Sequence, residues 1–224
     1  MNNKVIVYNF TNVYNEEKFV ERNKFIDLSN QYGMDCILEN IEELSKIIKK
    51  EDLTAIHFID SGDYHYLTKL FCDLITFPFI LIVMDHHTDM QNDGFNALTC
   101  GNWINYVKEN KNLKKINIIG PDSSYHDDKI TISKKIDIIK YDLPIYISID
   151  KDILAKNVIN TNWDQGEYQE IDILNDLKEI LINNKIIGID ICGECEDNIF
   201  KFNDIIEDEK VNNDFIKLIE EYNK

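Results

Sequence analysis

The chain has 224 residues, 44% of them hydrophobic, enough to bury a sizeable core and nearer the upper edge of one domain than the middle of two. Its 24 Lys and Arg stand against 41 Asp and Glu, a formal net charge of −17, so a phosphate-backbone or anionic-membrane partner is excluded and a cationic ligand is favoured. No apolar run reaches the roughly 18 to 20 residues of a membrane span, no N-terminal stretch reads as a cleavable signal, and five scattered cysteines (Cys36, Cys72, Cys100, Cys192 and Cys195) suit reduced thiols, so a cytoplasmic protein is expected.

Along the chain, short apolar, β-branched runs alternate with longer amphipathic ones, the pattern of βα units around a parallel sheet. A strand is expected over 4–10, a helix over 17–32, a strand over 36–38 and a helix over 41–50. A strand over 55–59, a helix over 66–74, a strand over 79–84 and a helix over 103–109 follow. Strands over 116–119, 136–139 and 145–149, a helix over 171–183, a strand over 186–191 and a helix over 212–222 complete the series. The run Phe79-Ile80-Leu81-Ile82-Val83-Met84 is apolar at every position, as when helices cover both faces of a sheet. The fold class is therefore α/β, a three-layer αβα arrangement with a mostly parallel sheet. Three prolines, eight glycines and no linker-like stretch mark no boundary, so one domain over 1–224 is expected.

Ligands of open α/β sheets bind beyond the carboxyl ends of the strands. Four strand ends here are rich in acidic and imidazole groups: Asp60-Ser61-Gly62-Asp63-Tyr64-His65, Asp85-His86-His87-Thr88-Asp89, Asp150-Lys151-Asp152 and Asp190-Ile191-Cys192-Gly193-Glu194. Alternate residues of an extended segment point the same way, so Asp85, His87 and Asp89 can face one point, as can Asp150 and Asp152. With His65, six oxygen and imidazole donors then converge on one cavity. Four carboxylates there repel strongly unless divalent cations neutralise them. Carboxylate with some imidazole and no thiolate favours Mn²⁺ over structural Zn²⁺. His57, inside an apolar strand, and His126, in a polar loop, read as structural, and Cys192-x-x-Cys195 lacks the second pair of a zinc site.

These residues resemble the ureohydrolase superfamily of arginase, agmatinase and formiminoglutamase. Asp85-His86-His87-Thr88-Asp89 is similar to its Asp-Ala-His-x-Asp motif and Ser148-Ile149-Asp150-Lys151-Asp152 to its Ser-x-Asp-x-Asp motif. Asp63-Tyr64-His65 resembles the Gly-Asp-His segment, Cys100-Gly101-Asn102 the Ser-Gly-Asn loop, and Glu194 falls where a late substrate-binding glutamate stands. The resemblance, which spans about 55–195, implies an arginase-like fold and two Mn²⁺ ions per subunit. His65, Asp85, Asp89 and Asp150 would hold one ion, and Asp85, His87, Asp150 and Asp152 the other, with Asp85 and Asp150 bridging. Asn102 and Glu194 would contact the substrate, Glu194 gripping its guanidinium. The chain is short for the family and departs from the pattern in four places: an extra residue, Tyr64, precedes His65, no Asp-Pro follows Asp152, the segment over 162–166 replaces a proline-glycine loop, and Ile104 stands where arginases carry a shuttle histidine. It looks closest to compact, divergent arginase-like proteins, some of which convert arginine within a ribosomally made peptide into ornithine.

Two cations about 3.5 to 4 Å apart acidify a shared water, and a carboxylate matches the flat guanidinium fork. The expected reaction is hydrolysis of a guanidino C–N bond in a small-molecule or peptidyl substrate, with Asp89 carrying a proton to the leaving amine. A homo-oligomer is compatible with the resemblance. Two alternatives stay open: a metal-dependent amidohydrolase or deacetylase of related fold, typically with one zinc, and a metal-binding relative without turnover.

Overall fold

A computed structural model of the protein describes residues 1, 4–29, 35–92, 97–136, 140–196 and 202–222, with backbone alone over 35–40 and 202–203. The first half of the chain contains β1 (Val5–Asn9), β2 (Lys24–Asp27), β3 (Asp35–Ile37), α1 (Leu38–Ile47), β4 (Ile56–Phe58), α2 (Leu67–Asp73), β5 (Phe79–Met84), β6 (Ala97–Thr99) and α3 (Trp103–Val107). The second half contains β7 (Leu113–Ile119), β8 (Tyr125–His126), β9 (Ile130–Ser133), β10 (Ile145–Asp150), α4 (Glu170–Asn183), β11 (Ile186–Cys192) and α5 (Phe202–Tyr222). Nine strands form one sheet in the order β2-β1-β4-β11-β10-β5-β7-β9-β8, parallel except where β8 meets β9. Strands β3 and β6 pair antiparallel in a separate ribbon.

Strand alternation sorts the apolar side chains into two layers. Ile6 and Tyr8 of β1 join Leu67, Leu70 and Phe71 of α2 and Trp103, Ile104 and Val107 of α3 on one face of the sheet. Val5 and Val7 go to the other face, with Ile173, Leu177 and Ile180 of α4 and Phe215 and Ile219 of α5. The three-layer αβα class expected from the apolar strands is the one observed. On α4 the buried residues Ile173, Leu177, Ile180 and Leu181 recur at helical spacing, and Glu170 and Asp172 complement the positive end of the helix dipole. Each such side chain contributes about 1.5 to 3 kcal/mol when fully buried. No helix among the described residues is long and apolar enough to cross a membrane.

The helix expected over 17–32 does not form. Val13–Glu16 and Lys18–Arg22 are short 3-10 turns, and β2 lies parallel to β1 from Lys24 opposite Ile6 to Asp27 opposite Asn9. Tertiary contacts override the local pattern: Lys24 and Lys4 both bond the buried carboxylate of Asp52, at 2.5 and 2.6 Å, while Ile26 packs on the core and Phe25 faces out. Residues 30–32 of that expectation, and 137–139 of the strand expected over 136–139, lie outside the described residues. The strand expected over 36–38 belongs to the small ribbon and gives way to α1 at Leu38. The last helix begins ten residues before 212, at Phe202.

The order β4-β11-β10-β5 puts the four acidic strand ends side by side at the centre of the sheet. The Asp85 amide donates to the Ile119 carbonyl at 2.9 Å, and Gly120 then turns with φ 127° against the Asp85 backbone. A Cβ at 120 would lie 2.1 Å from the Asp85 carbonyl oxygen, so both the conformation and the close approach require glycine. Gly120→Ala is expected to cost about 2 to 4 kcal/mol. A urea unfolding curve with an unmoved midpoint would show that the Asp85 backbone is not fixed from this side.

Candidate metal centre

All six expected ligands line one cavity of about 90 Å³. His65 follows the turn Gly62–Tyr64 and precedes α2; its Nδ1 lies 3.3 Å from Asp85 Oδ2, 3.0 Å from Asp89 Oδ2 and 3.6 Å from Asp150 Oδ2. Its Nε2 donates to Ser148 Oγ at 2.8 Å, Ser148 donates to Asp190 Oδ1 at 2.5 Å, and Thr68 donates to the same oxygen at 2.9 Å. That relay places the proton on Nε2 and turns the Nδ1 lone pair into the carboxylate cluster. There Nδ1 is buried with no aligned hydrogen-bond partner.

A second cluster adjoins the first. His87 Nδ1 lies 2.7 Å from Asp152 Oδ2 and 3.8 Å from Asp85 Oδ1. Asp85 thus offers one oxygen to each imidazole. Backbone groups hold the acids in place: the His87 amide donates to Asp85 Oδ1 at 2.5 Å, the His86 amide to Asp152 Oδ1 at 3.0 Å and the Asp152 amide to Asp150 Oδ1 at 2.9 Å. Asp89 adopts a left-handed φ of 49°, costly for a non-glycine residue, and is secured by the Trp103 indole N–H on Oδ2 at 2.5 Å and the Ile104 amide on its carbonyl at 3.2 Å.

Burial, reinforced by Asp152 and Asp89, holds the Asp85 carboxyl well above the usual carboxylate range. Burial, then the charge of Asp152, pushes Asp150 up to about 7, and burial lifts Asp190 to about 6. Burial opposes a charge on His65, but Cys192, Asp85 and Asp89 outweigh it and keep the imidazole pKa well raised. The cluster is short of positive charge, and a proton on Nδ1 takes the place a cation can fill. Carboxylates with two imidazoles fit a hard or borderline divalent ion. Cys192 is also within reach of His65 and Asp150, but burial drives its thiol pKa well up and it donates to Asp150 Oδ2 at 3.2 Å.

The two residues expected to hold substrate are placed elsewhere. Asn102 is buried, accepting from the Thr99 amide and donating to the Ala97 carbonyl, both at 2.8 Å; it shapes the turn, while its neighbours Cys100 and Gly101 line the cavity. Glu194 does not line the cavity. Its carboxylate is fully buried against Lys151 Nζ and accepts from Asn212 Nδ2 at 2.8 Å. The chain leaves β10 at Asp150 in a 3-10 turn over Lys151–Ile153, which brings Asp152 back to the cavity while Lys151 meets Glu194 behind the centre. Asn212 also bonds Lys151 at 3.0 Å and Glu17 at 2.9 Å, so α5 is tied to the ligand-bearing turn. His57, buried with Nε2 on the Asp52 carbonyl, and exposed His126, bonded to Thr131, are structural. Trp163 was not singled out by the sequence, since a lone tryptophan carries no spacing signal; it lines the cavity and donates its indole N–H to Asp63 at 2.8 Å.

Lys151→Met leaves Glu194 buried without its cation and is expected to cost about 3 to 5 kcal/mol, whereas pairing Lys151→Met with Glu194→Leu recovers most of it. Denaturant melts of the two variants compare the losses; equal losses would mean that the pair is not coupled.

No family model matches the chain. An uncharacterized protein of Thermotoga maritima is 30% identical over 213 residues, 92% of this chain and 85% of that one. Among solved structures, a putative agmatinase from Clostridium difficile superposes with a TM-score of 0.67 at 16% identity, covering 99% of this chain and 98% of that one. Arginase from Bacillus subtilis gives 0.66 at 12% identity, covering 96% and 98%. A triple mutant of the T. brucei arginase-like protein, bound with Mn²⁺, gives 0.63 at 13% identity, covering 98% and 91%. By sequence the chain belongs to one family with the Thermotoga maritima protein, and its fold is that of the agmatinase and arginase structures.

Proposed function

We propose that the chain is a manganese-dependent ureohydrolase that releases urea from a terminal guanidino group. The observation that carries this reading is the division of Asp85, one oxygen toward His65 and one toward His87, beside the buried, unmatched Nδ1 of His65. His65, Asp85, Asp89 and Asp150 would hold one divalent cation, and Asp85, His87, Asp150 and Asp152 the second. When bound, such a pair lowers the pKa of a water enough to supply hydroxide at neutral pH.

The chain's own residues supply binding, orientation and proton handling. The acid-lined cavity draws in a flat cation, so the guanidino carbon comes to rest among the ligand carboxylates. In the reaction a water oxygen bonds to that carbon, the bond from carbon to the chain nitrogen breaks, and the amine departs with a proton. Asp89 is assigned the proton transfer: it sits in the cavity wall and is held rigidly by Trp103 and Ile104. The Mn²⁺-bound T. brucei variant supports the choice of ion on this fold.

The purified chain is expected to take up two Mn²⁺ with a rise in melting temperature, because an ion that binds only the folded state stabilises it. Asp85→Ala and Asp150→Ala should each lose ions and cut urea release at least about a hundredfold, with Asp152→Ala weakening mainly one ion. Protons compete for the same oxygens, so Mn²⁺ affinity should rise as pH climbs through about 7, where Asp150 titrates in the ion-free chain, and fall below it. Metal analysis near zero would overturn the centre. Full occupancy without urea from arginine, agmatine or an arginine-containing peptide would overturn the reaction.

A further inference from the structure

We propose that Trp163 is the specificity-determining wall of the cavity, stacking its indole face on the planar cationic head of the substrate, with Asp63 as the residue that positions the ring. This rests on the guanidino-hydrolase reading. Glu194 lies buried against Lys151 and Asn102 bonds the 97–99 backbone, and neither lines the cavity. Among the described cavity-lining residues that are not expected ligands, Trp163 alone offers a large π face.

The indole sits close to the chemistry. A Cβ built at Gly62 would fall 3.0 Å from Trp163 Cδ1 and 3.0 Å from Asp150 Oδ2, so a glycine separates the ring from an expected ligand and any side chain there would push them apart. The ring centroid is 6.4 Å from that of His87, with planes at 75°. The loop is pinned on both sides: Asn162 exchanges hydrogen bonds with Glu196, 3.1 Å each way, and the Gly166 amide donates to the Asp152 carbonyl at 2.7 Å. Donation of the indole N–H to the Asp63 carboxylate enriches the ring in electron density and so strengthens its pull on a cation.

The lining narrows the substrate class. Four carboxylates and two imidazoles make a surface that suits a compact, planar cation. Trp163 is 44% exposed, so the rest of the substrate passes the indole into solvent. The class is therefore a guanidinium at the end of a chain, recognised by its head and tolerant of what the tail carries.

The test compares Trp163→Leu, which removes the π face, with Trp163→Phe, which keeps it, and with Asp63→Asn, which removes the charge that enriches the ring. With the best urea-releasing compound among arginine, agmatine and an arginine-containing peptide, Leu should raise KM about tenfold with kcat changed less than about twofold. Phe should return KM to within about threefold of wild type, and Asn should raise it by about the same factor. Mn²⁺ content and melting temperature should stay at wild-type values in all three. An unchanged KM for Leu, or equal rises for Leu and Phe, would overturn the stacking role. If the wild type releases no urea from any compound, the hydrolase reading has failed, and the wall is then judged by calorimetric titration of the Mn²⁺-loaded protein with agmatine. A loss of affinity in Leu and not in Phe supports it; equal affinities, or no binding by wild type, overturn it.

Discussion

Mutual repulsion among the acids at the middle of the sheet governs this structure. Asp85, Asp89, Asp150 and Asp152 are each less than a tenth exposed and come together at the ends of adjacent strands. Burial removes the water that would otherwise screen them, so positive charge must come from protons, imidazoles or ions. Much of the surrounding architecture answers that demand. Backbone amides of residues 86, 87 and 152 point at the carboxylates, Trp103 grips Asp89, and the chain from Asp190 through Ser148 orients His65.

A second buried charge system lies behind the first. Lys151 and Glu194 are both fully buried, and burial works against the ammonium less than Glu194, Asp208 and Glu17 work for it, so Lys151 stays charged. Such a pair contributes little net stability over a well-packed apolar one, but it fixes one arrangement sharply because removing either partner strands the other. Its value here is positional. The 3-10 turn that follows Asp150 gives Asp152 to the cavity and Lys151 to the interior, and the hydrogen bonds of Asn212 carry the constraint into α5.

The parts legible in the sequence were those decided by local periodicity. β5, β10 and β11 are continuous apolar runs, and the acids that end them could be read as ligands because a strand end fixes where its side chains point. What stayed hidden depends on partners distant in the chain. Residues 24–27 pattern weakly, and only Asp52 and the neighbouring β1 make them a strand. Glu194 carries no sequence signal of its partner Lys151, 43 positions away, beside which it is buried. Asn102 looks functional from the residues around it but closes its own turn. Trp163 lies 100 positions from Asp63, and nothing local predicts that they meet.

The provenance of the cavity wall has a consequence for assembly. Its acids and imidazoles come from segments around 62–65, 85–89 and 150–152, which follow β4, β5 and β10 and meet only once the sheet has assembled in its order. A partly folded chain holds these pieces tens of residues apart and has no comparable place for an ion. Any divalent cation captured there therefore acts as a proofreader of topology, adding its binding free energy solely to chains whose strand order is correct and leaving misassembled ones without it.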